Sequence, residues 1–409
     1  MKKVVLGEVC DFFNGGAWSD KEYVNEGIPV LKVTNCKSTG FQLDNLNYLS
    51  EKSREKYKKN NLIIGDIIVA TVGSHPNLIE SAAGRSCIVN SQVEGFYLNQ
   101  NAVCIRTKDK RILSQKYLGY LCKCADFQHY IQSRGRGAAN QMRIAISSIK
   151  EYSFTLPDFE NQQYIADILS AYDDLIENNQ KQIKLLEEAA QRLYKEWFVD
   201  LRFPGHENTK IVDGVPEGWN WCKLEDAIQL DPKVTLTKER MKQFIPMSAL
   251  STSSMVLDES QFTETTSNSG SKFRNGDTLL ARITPCLENG KTAYVSGLKS
   301  DEGAVGSTEY IVMRAKTINS YMVYLLARTD DFRQSAINSM SGSDGRQRVK
   351  SDKLKMLDYL HPTSELVEKF ENIEEPIFEK ICKLSKQMQQ AKQARDLLLP
   401  KLMSGEVEV

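Results

Sequence analysis

Long apolar runs are missing from this chain of 409 residues. No stretch of about eighteen consecutive apolar residues occurs, so we expect neither a membrane-spanning helix nor a membrane partner. The N-terminal residues turn acidic at Glu8, which is too early for a secretory signal. Together these absences predict a cytoplasmic protein.

Catalytic and cofactor motifs are also missing. The sequence has no phosphate-binding loop, no Gly-x-Gly-x-x-Gly dinucleotide motif, no His-Glu-x-x-His and no Gly-x-Ser-x-Gly. It also lacks an Asn/Asp-Pro-Pro-Tyr/Phe segment of the amino-methyltransferase kind. The nine cysteines and four histidines do not cluster, and the only close pair is Cys122 and Cys124. We therefore expect no catalytic residue, bound cofactor or metal in this chain.

What the chain does contain is an internal repeat. Gly65-Asp66 recurs as Gly276-Asp277, 211 residues later, and both dipeptides lie between apolar runs that predict a turn. Asp126-Phe127 recurs as Asp331-Phe332, 205 residues later. A duplicated unit predicts two similar surfaces related by an approximate two-fold axis. Such a pair of surfaces favours a protein that recognises a two-part target over one that has a single catalytic site.

Two segments have the apolar spacing of long helices. Phe159–Phe198 contains no glycine or proline and would form a rod of about 60 Å. Glu365–Met403 has the same spacing, but Pro376 is expected to kink or break its helix and Pro400 to end it early. Within the globules, helical spacing predicts one helix over Gln115–Ile131 and a second around Tyr321–Ile337.

These patterns predict an α+β fold with two similar mixed α/β domains separated by two long helices. Two amphipathic helices in one chain most simply pack on each other, and a two-fold repeat would make them an antiparallel coiled coil. The reach of the connector, about 66 Å when extended, leaves a parallel pair open. The expected boundaries are 1–158 for the first domain, 159–198 for the first long helix, 199–218 for a linker, 219–363 for the second domain and 364–404 for the second long helix.

The net charge is zero, but it is unevenly distributed. Residues 1–158 hold 21 basic against 15 acidic side chains, and residues 219–363 hold 19 against 17. The helical segments are acidic. Because polyanion binding depends on the local field, the zero total is compatible with double-stranded DNA as a partner.

Two basic, glycine-rich loops stand at matching positions of the repeat. Small residues let the backbone approach a phosphate, arginine grips phosphate or guanine, and asparagine or glutamine pairs with adenine. Arg282 and Lys291 flank a further loop whose sequence differs between the repeats, as expected of segments that read different bases. The alternative is that these are surface loops with incidental charge. The candidate DNA-binding residues are Arg134, Arg136, Asn140, Gln141, Arg143, Arg282, Lys291, Arg346, Gln347, Arg348 and Lys350.

Over nearly its whole length the chain resembles the specificity subunits of type I restriction-modification systems. The resemblance rests on Val215-Pro216-Glu217-Gly218-Trp219 with Lys223-Leu224-Glu225-Asp226, on Leu6-Gly7-Glu8-Val9, on the two Gly-Asp strands, and on the terminal segment from Leu397 to Glu406. Each motif is short, but their order, which occurs twice, is specific. The prolines of the second long helix and the missing Pro-x-Gly-Trp opening of the first repeat depart from the family pattern.

The resemblance implies two target-recognition domains that each read one half of a bipartite DNA site. It also implies that the long helices set the spacing and dock two methyltransferase subunits, which would bind S-adenosylmethionine, while motor-nuclease subunits join for cleavage. This subunit would itself be non-catalytic. Two alternatives remain at this point: a stand-alone DNA modification enzyme or nuclease, and a coiled-coil scaffold whose globules bind protein.

Overall fold

Buried β-branched residues organise the N-terminal globule around an antiparallel four-stranded sheet. The computed structural model describes residues 2–37, 40–43, 45–74, 82–137, 142–342 and 346–407. All four residues of the Gly-Asp strand that continues from Asp66 are buried, as expected for a central strand. In spatial order the sheet contains Ser86–Ile88, Ile67–Ala70, Ala102–Thr107 and Cys10–Asn14.

A second, mixed sheet completes this globule. Its strands are Tyr97–Leu98, Ile28–Leu31, Asn47–Leu49 and Tyr23–Val24, and the first two pair in parallel. Smaller antiparallel pairs join Lys2–Val5 to Ser153–Leu156, Cys36–Lys37 to Gly40–Phe41, and Val72–Gly73 to Met142–Arg143. The helices are Leu6–Val9, Gln115–Lys123, Ala125–Ser133 and Ile146–Lys150.

The C-terminal globule has sheets of the same kind. Its antiparallel sheet runs in the order Ile228–Leu230, Tyr310–Ala315, Thr278–Ala281 and Thr292–Tyr294. Its mixed sheet runs in the order Thr263–Thr265, Lys242–Ile245, Ala304–Gly306 and Ser271–Phe273. Two further pairs are Asn220–Lys223 with Asp358–His361 and Ile211–Val212 with Val215–Pro216. The helices are Leu224–Ala227, Ser320–Arg328, Asp330–Asn338 and Ser351–Lys355.

Short 3-10 turns connect these elements. They span Asp20–Glu22, Val33–Asn35, Glu51–Ser53, Lys58–Asn60, His206–Asn208, Met247–Ala249 and Glu259–Gln261.

The prediction of one continuous helix in each globule is wrong, because each is broken into two. Cys124 leaves the helical conformation, with φ −64° and ψ 145°, and the next helix begins at Ala125. Thr329 does the same in the second globule, where its hydroxyl accepts a hydrogen bond from the backbone of Phe332 and caps the new helix. Apolar spacing continues across both breaks, so periodicity alone does not reveal them.

The two long helices span Phe159–Tyr194, followed by a π-helical turn over Lys195–Val199, and Ser364–Ser404. The kink or break expected at Pro376 and the early end expected at Pro400 are not observed, since the second long helix continues without interruption to Ser404. A proline inside a helix costs about 3 kcal/mol through a lost hydrogen bond and a steric clash. Burial of Phe370 and Phe378 on either side of Pro376, and of Leu402 after Pro400, offsets that cost.

The chain divides into two compact units, of residues 1–175 with 391–409 and of residues 176–390. In the second unit, Asn179 Nδ2 donates to the carbonyl of Leu384 at 3.5 Å, while the rings of Tyr194 and Phe370 lie 6.0 Å apart. Later residues of the first long helix therefore contact earlier residues of the second, so the two helices are antiparallel over this stretch.

In the first unit, a charged cluster joins the same two helices. Arg395 Nη1 donates to Asp173 at 2.5 Å, and the Tyr120 hydroxyl donates to the same carboxylate at 2.9 Å. Burial alone would raise the pKa of Asp173, but Lys123, Arg395 and Tyr120 together hold it below its ordinary value. The apolar core of this unit includes Leu169 and Leu402. Among the described residues, no helix is long and apolar enough to cross a membrane.

Candidate nucleic-acid interface

The repeated Gly-Asp dipeptides form turns that position the candidate loops. Gly65 and Gly276 both have φ +86°, a left-handed conformation that suits glycine. The Asp66 carboxylate accepts from the backbone of Ile63 at 2.9 Å and closes the first turn. The strand that follows runs through Ala70 to Thr71, where it meets the first basic loop.

The described ends of the first basic loop, residues 134–137 and 142–143, pair with each other, and we call these two paired segments hairpin 1. The backbones of Arg136 and Arg143 exchange two hydrogen bonds of 2.9 and 2.8 Å. The backbone of Ile144 donates to the carbonyl of Thr71 at 2.8 Å and fixes the base of the hairpin beside the Gly-Asp strand. Asn140 and Gln141, predicted to contact DNA, lie outside the described residues.

The described ends of the second basic loop, residues 341–342 and 346–350, pair in the same backbone pattern, and we call these two paired segments hairpin 2. Ser341 and Arg348 exchange two hydrogen bonds of 3.0 Å, and the backbone of Val349 donates to the carbonyl of Arg282 at 2.9 Å. Arg348 therefore occupies the position in hairpin 2 that Arg143 occupies in hairpin 1. Each unit thus places an arginine at the same backbone site.

The surroundings of these two arginines differ. Arg143 is exposed and forms no ion pair with any residue that the structure describes. The guanidinium of Arg348 instead holds the Glu309 carboxylate through contacts of 2.7 to 3.0 Å. Hydrogen bonding from Arg348, helped by the charge of Arg282, lowers the pKa of Glu309 despite partial burial. Arg348 is therefore partly neutralised, whereas Arg143 presents its full charge to solvent.

Backbone contacts explain this difference. The backbone of Arg282 donates to the carbonyl of Glu309 at 3.0 Å, just as the backbone of Thr71 donates to that of Asn101 at 2.9 Å. Glu309 thus stands where the first unit has Asn101, so the carboxylate exists in only one unit. The buried Nε of Arg282 has no hydrogen-bond partner among the described residues. Sequence reasoning missed Glu309, because strand register, not spacing, places it beside Arg348.

The remaining candidate residues differ in their contacts and exposure. The Arg134 guanidinium stacks over the Tyr130 ring at 3.8 Å, in a cation–π contact that the four-residue spacing on a helix could have indicated. Lys291 Nζ donates to the carbonyl of Met247 at 3.0 Å. Arg346 and Lys350 are exposed.

Gln347 is half-buried, and its backbone carbonyl accepts from Thr284 at 3.1 Å. The arrangement can grip a polyanion, since exposed arginines on rigid hairpins suit phosphate and guanine contacts.

The close cysteine pair, Cys122 and Cys124, is buried and unreactive. Burial raises the pKa of Cys124 to about 12 and that of Cys122 well above its ordinary value, so both remain thiols and poor nucleophiles. Across the described ranges, no group of three histidine, cysteine or acidic side chains is arranged to hold a metal ion.

Residues 1–188 match the family model described as the type I restriction modification DNA specificity domain. A specificity subunit of the type I restriction enzyme MjaIX from Methanocaldococcus jannaschii is 28% identical over 304 residues, which cover 72% of this chain and 69% of that protein. The HindI specificity subunit of Haemophilus influenzae is 20% identical, with coverage of 97% of this chain and 96% of that one.

The fold also matches a solved structure. The crystal structure of the type I restriction-modification system S subunit from M. genitalium superposes with a TM-score of 0.60 at 16% identity. The match covers 98% of this chain and 96% of the other. At this identity the likeness concerns the fold alone.

Proposed function

We propose that this chain, which belongs to the family of type I restriction-modification specificity subunits, reads a bipartite, asymmetric DNA site in which each half is bound by one unit. The observation that carries the proposal is the pair of basic hairpins at equivalent backbone positions, with Arg143 in one and Arg348 in the other. Two copies of one backbone arrangement suit two DNA half-sites, and different side chains at its equivalent positions suit two different base sequences.

Charge and rigidity support duplex DNA as the target. Hairpin 1 is hydrogen-bonded to Thr71 and hairpin 2 to Arg282, each directly after a strand of the antiparallel sheet, so the backbones of both arginines are held in place. An arginine held in this way loses little conformational entropy when it binds a phosphate or the O6 and N7 atoms of guanine. Glu309 would make the second unit the weaker electrostatic binder, and base contacts would then matter more there.

The long helices supply the spacer in this proposal. They would pack as an antiparallel coiled coil related by a pseudo-two-fold axis, with 159–198 and 364–404 setting the distance between domains 1–158 and 219–363. The contacts of Asn179 with Leu384 and of Tyr194 with Phe370 favour that direction. A rod of fixed length keeps the number of base pairs between two half-sites constant.

The partners follow from the same proposal. Two methyltransferase subunits would dock on the helices and bind S-adenosylmethionine, and motor-nuclease subunits would join them for cleavage. This chain would contribute recognition and no catalytic residue or cofactor. Its role would be to place the partners' active sites over the DNA that it holds.

The test is to co-express the chain with its methyltransferase partner subunit and to map methylated adenines in the host genome. The proposal expects one bipartite motif with a constant spacer. Arg143→Ala should weaken or relax recognition of one half and Arg348→Ala that of the other, with the remaining half unchanged. Methylation without a bipartite motif, or the same motif in both variants, would overturn the assignment. Methylation by the purified chain alone would favour a stand-alone enzyme.

A further inference from the structure

An uncharged cleft opens in the second unit at the end of its mixed sheet. Its volume is about 460 Å³. It is lined by the end of strand Lys242–Ile245 with the residues that follow it, by Thr265 and Ser267, and by the segments around Ser269 and Thr308. No charged side chain lines it.

Two hydroxyl groups in this cleft are unused by the fold. Ser269 and Thr308 are exposed, and neither side chain forms a hydrogen bond within the described part of the chain. Ser267 and Ser307 already accept hydrogen bonds from the backbones of Ser269 and Glu309, at 3.0 and 3.2 Å, but each retains a proton to donate. The cleft therefore offers both donors and acceptors without net charge.

Part of the cleft lining is apolar. Phe244, Pro246 and Met247 line it, and none of the three is fully buried. Hydroxyls and apolar carbon in one cleft suit a base edge that combines hydrogen-bonding atoms with a methyl group. In the major groove of DNA, only an A·T pair presents that combination, through the methyl group of thymine.

Two candidate DNA contacts stand directly beside the cleft. Lys291 donates to the carbonyl of Met247, one of the apolar lining residues, at 3.0 Å. Glu309, which follows Thr308 in the chain, holds Arg348 at 2.7 Å. A DNA strand that contacts Lys291 and Arg348 would therefore pass over the cleft.

The first unit has the same backbone here but different side chains. The backbone of Asn99 donates to the carbonyl of Leu31 at 2.9 Å, as that of Ser307 donates to Ile245 at 3.3 Å. These strands also pair in parallel in both units. Asn99-Gln100 in the first unit consequently replace Ser307-Thr308, and Lys32-Val33 replace Pro246-Met247. Recognition of two different half-sites requires equivalent backbone positions that carry different side chains.

We propose that this cleft is a base-reading surface of the second unit, and that it accepts the major-groove edge of an A·T pair with the thymine methyl group against Pro246 and Met247. Ser269 and Thr308 donate to or accept from the base edge. The proposal rests on the function proposed above and adds to it the residues that select the bases.

The first experiment removes the hydroxyls in the assembled complex with its methyltransferase subunits. Ser269→Ala and Thr308→Val should reduce discrimination at one or two adjacent positions of a single half-site, by about five- to one-hundred-fold. The other half-site should be unchanged. Ser335→Ala, which removes a hydroxyl from helix Asp330–Asn338 of the same unit, is the matched control and should leave the motif intact.

The second experiment replaces each thymine of the mapped half-site by deoxyuridine, which lacks the methyl group, and measures binding by the assembled complex. Affinity should fall about fourfold at one position, as expected for one buried methyl group. The same substitution should have a smaller effect on a Met247→Ala complex, in which only Pro246 remains to contact the methyl group.

The outcomes separate the two proposals. If the wild-type complex reads no bipartite motif, the proposed function fails. If it reads one, but the hydroxyl variants and the deoxyuridine series leave both halves unchanged, the cleft is not a reading surface. Circular dichroism and complex assembly establish that each variant is folded.

Discussion

The Asp66 carboxylate and the Arg106 guanidinium form a two-point ion pair, with both contacts at 2.6 Å. Asp277 and Arg314 repeat it in the second unit, with both contacts at 2.7 Å. Each aspartate also accepts from the backbone of its own turn. The repeated Gly-Asp dipeptide is therefore a structural element that locks the turn to the neighbouring strand, and the basic hairpins stand on the strands so fixed.

Asp66→Asn should destabilise the protein by about 3 kcal/mol, since removing one partner leaves a partly buried charge without compensation. Asp66 is only 1% exposed, which limits solvent screening of the pair. Urea unfolding followed by circular dichroism measures the change. Glu51→Gln, which breaks an exposed pair with Arg54, is the control and should have little effect on stability, because solvent screens that pair. Equal effects of the two substitutions would contradict the structural role of Asp66.

Glu374 should make stability depend on pH. Its side chain is fully buried, and neither carboxylate oxygen has a hydrogen-bond partner among the described residues. Burial raises the pKa of Glu374 to about 7, from 4.5. Between these values the folded state binds the extra proton, so the free energy of unfolding falls as the pH rises and the stabilisation is fully present only below about pH 4.5.

Glu374→Leu should therefore stabilise the protein at pH 8 by about 3 kcal/mol and remove this dependence. Leu169, which is buried 205 residues earlier in the other long helix, shows that leucine fits the corresponding position. Thermal unfolding at pH 5 and pH 8 measures the effect. The exposed neighbour Glu375, replaced by glutamine, should leave the pH profile as it is. A wild-type profile that is flat from pH 5 to 8 would count against a protonated Glu374.

Arg143→Ala should weaken DNA binding by the assembled complex more than Arg348→Ala. Arg143 forms no ion pair with the described residues, whereas Arg348 is already paired with Glu309. Loss of one phosphate contact should reduce the slope of log K against log salt concentration by about 0.9. Fluorescence anisotropy at several salt concentrations measures both quantities. The reverse order of the two variants would mean that Glu309 releases Arg348 on binding.

Glu309→Gln should raise the affinity of the same complex for DNA. The substitution removes a negative charge beside the phosphate-binding surface while it keeps the shape of the side chain and frees Arg348. The increase should be largest at low salt and should shrink as the salt concentration rises. Asp330→Asn, which removes an exposed carboxylate outside hairpin 2, is a suitable comparison. Unchanged binding by Glu309→Gln would place Arg348 away from the DNA.

Removing seven residues at facing positions of both long helices should shorten the spacer of the recognised site. Two helical turns span about 10 Å, which corresponds to about three base pairs. Methylated-site mapping should then find the same half-sites closer together. A shortened complex that keeps the original spacer would show that the long helices do not set the spacer length.

The sequence predicted those features that depend on local pattern. Uninterrupted apolar spacing gave the helix from Phe159, and the repeated Gly-Asp dipeptides gave equivalent turns with φ +86°. It failed where tertiary packing overrides propensity. Pro376 stays helical because Phe370 and Phe378 are buried, and Cys124 interrupts a helix whose spacing continues without a break.

The sequence alone determined the repeat and its order, the long helical segments and the matched basic loops. These features depend on residue spacing and on glycine conformation, which involve only residues close together in the chain. The tertiary structure decided what surrounds each arginine. Strand register places Glu309 against Arg348 and leaves Arg143 without an ion pair among the described residues. It also brings Met247, Ser269 and Thr308 to one cleft. These contacts join residues far apart in the chain, and no local pattern encodes which of them meet.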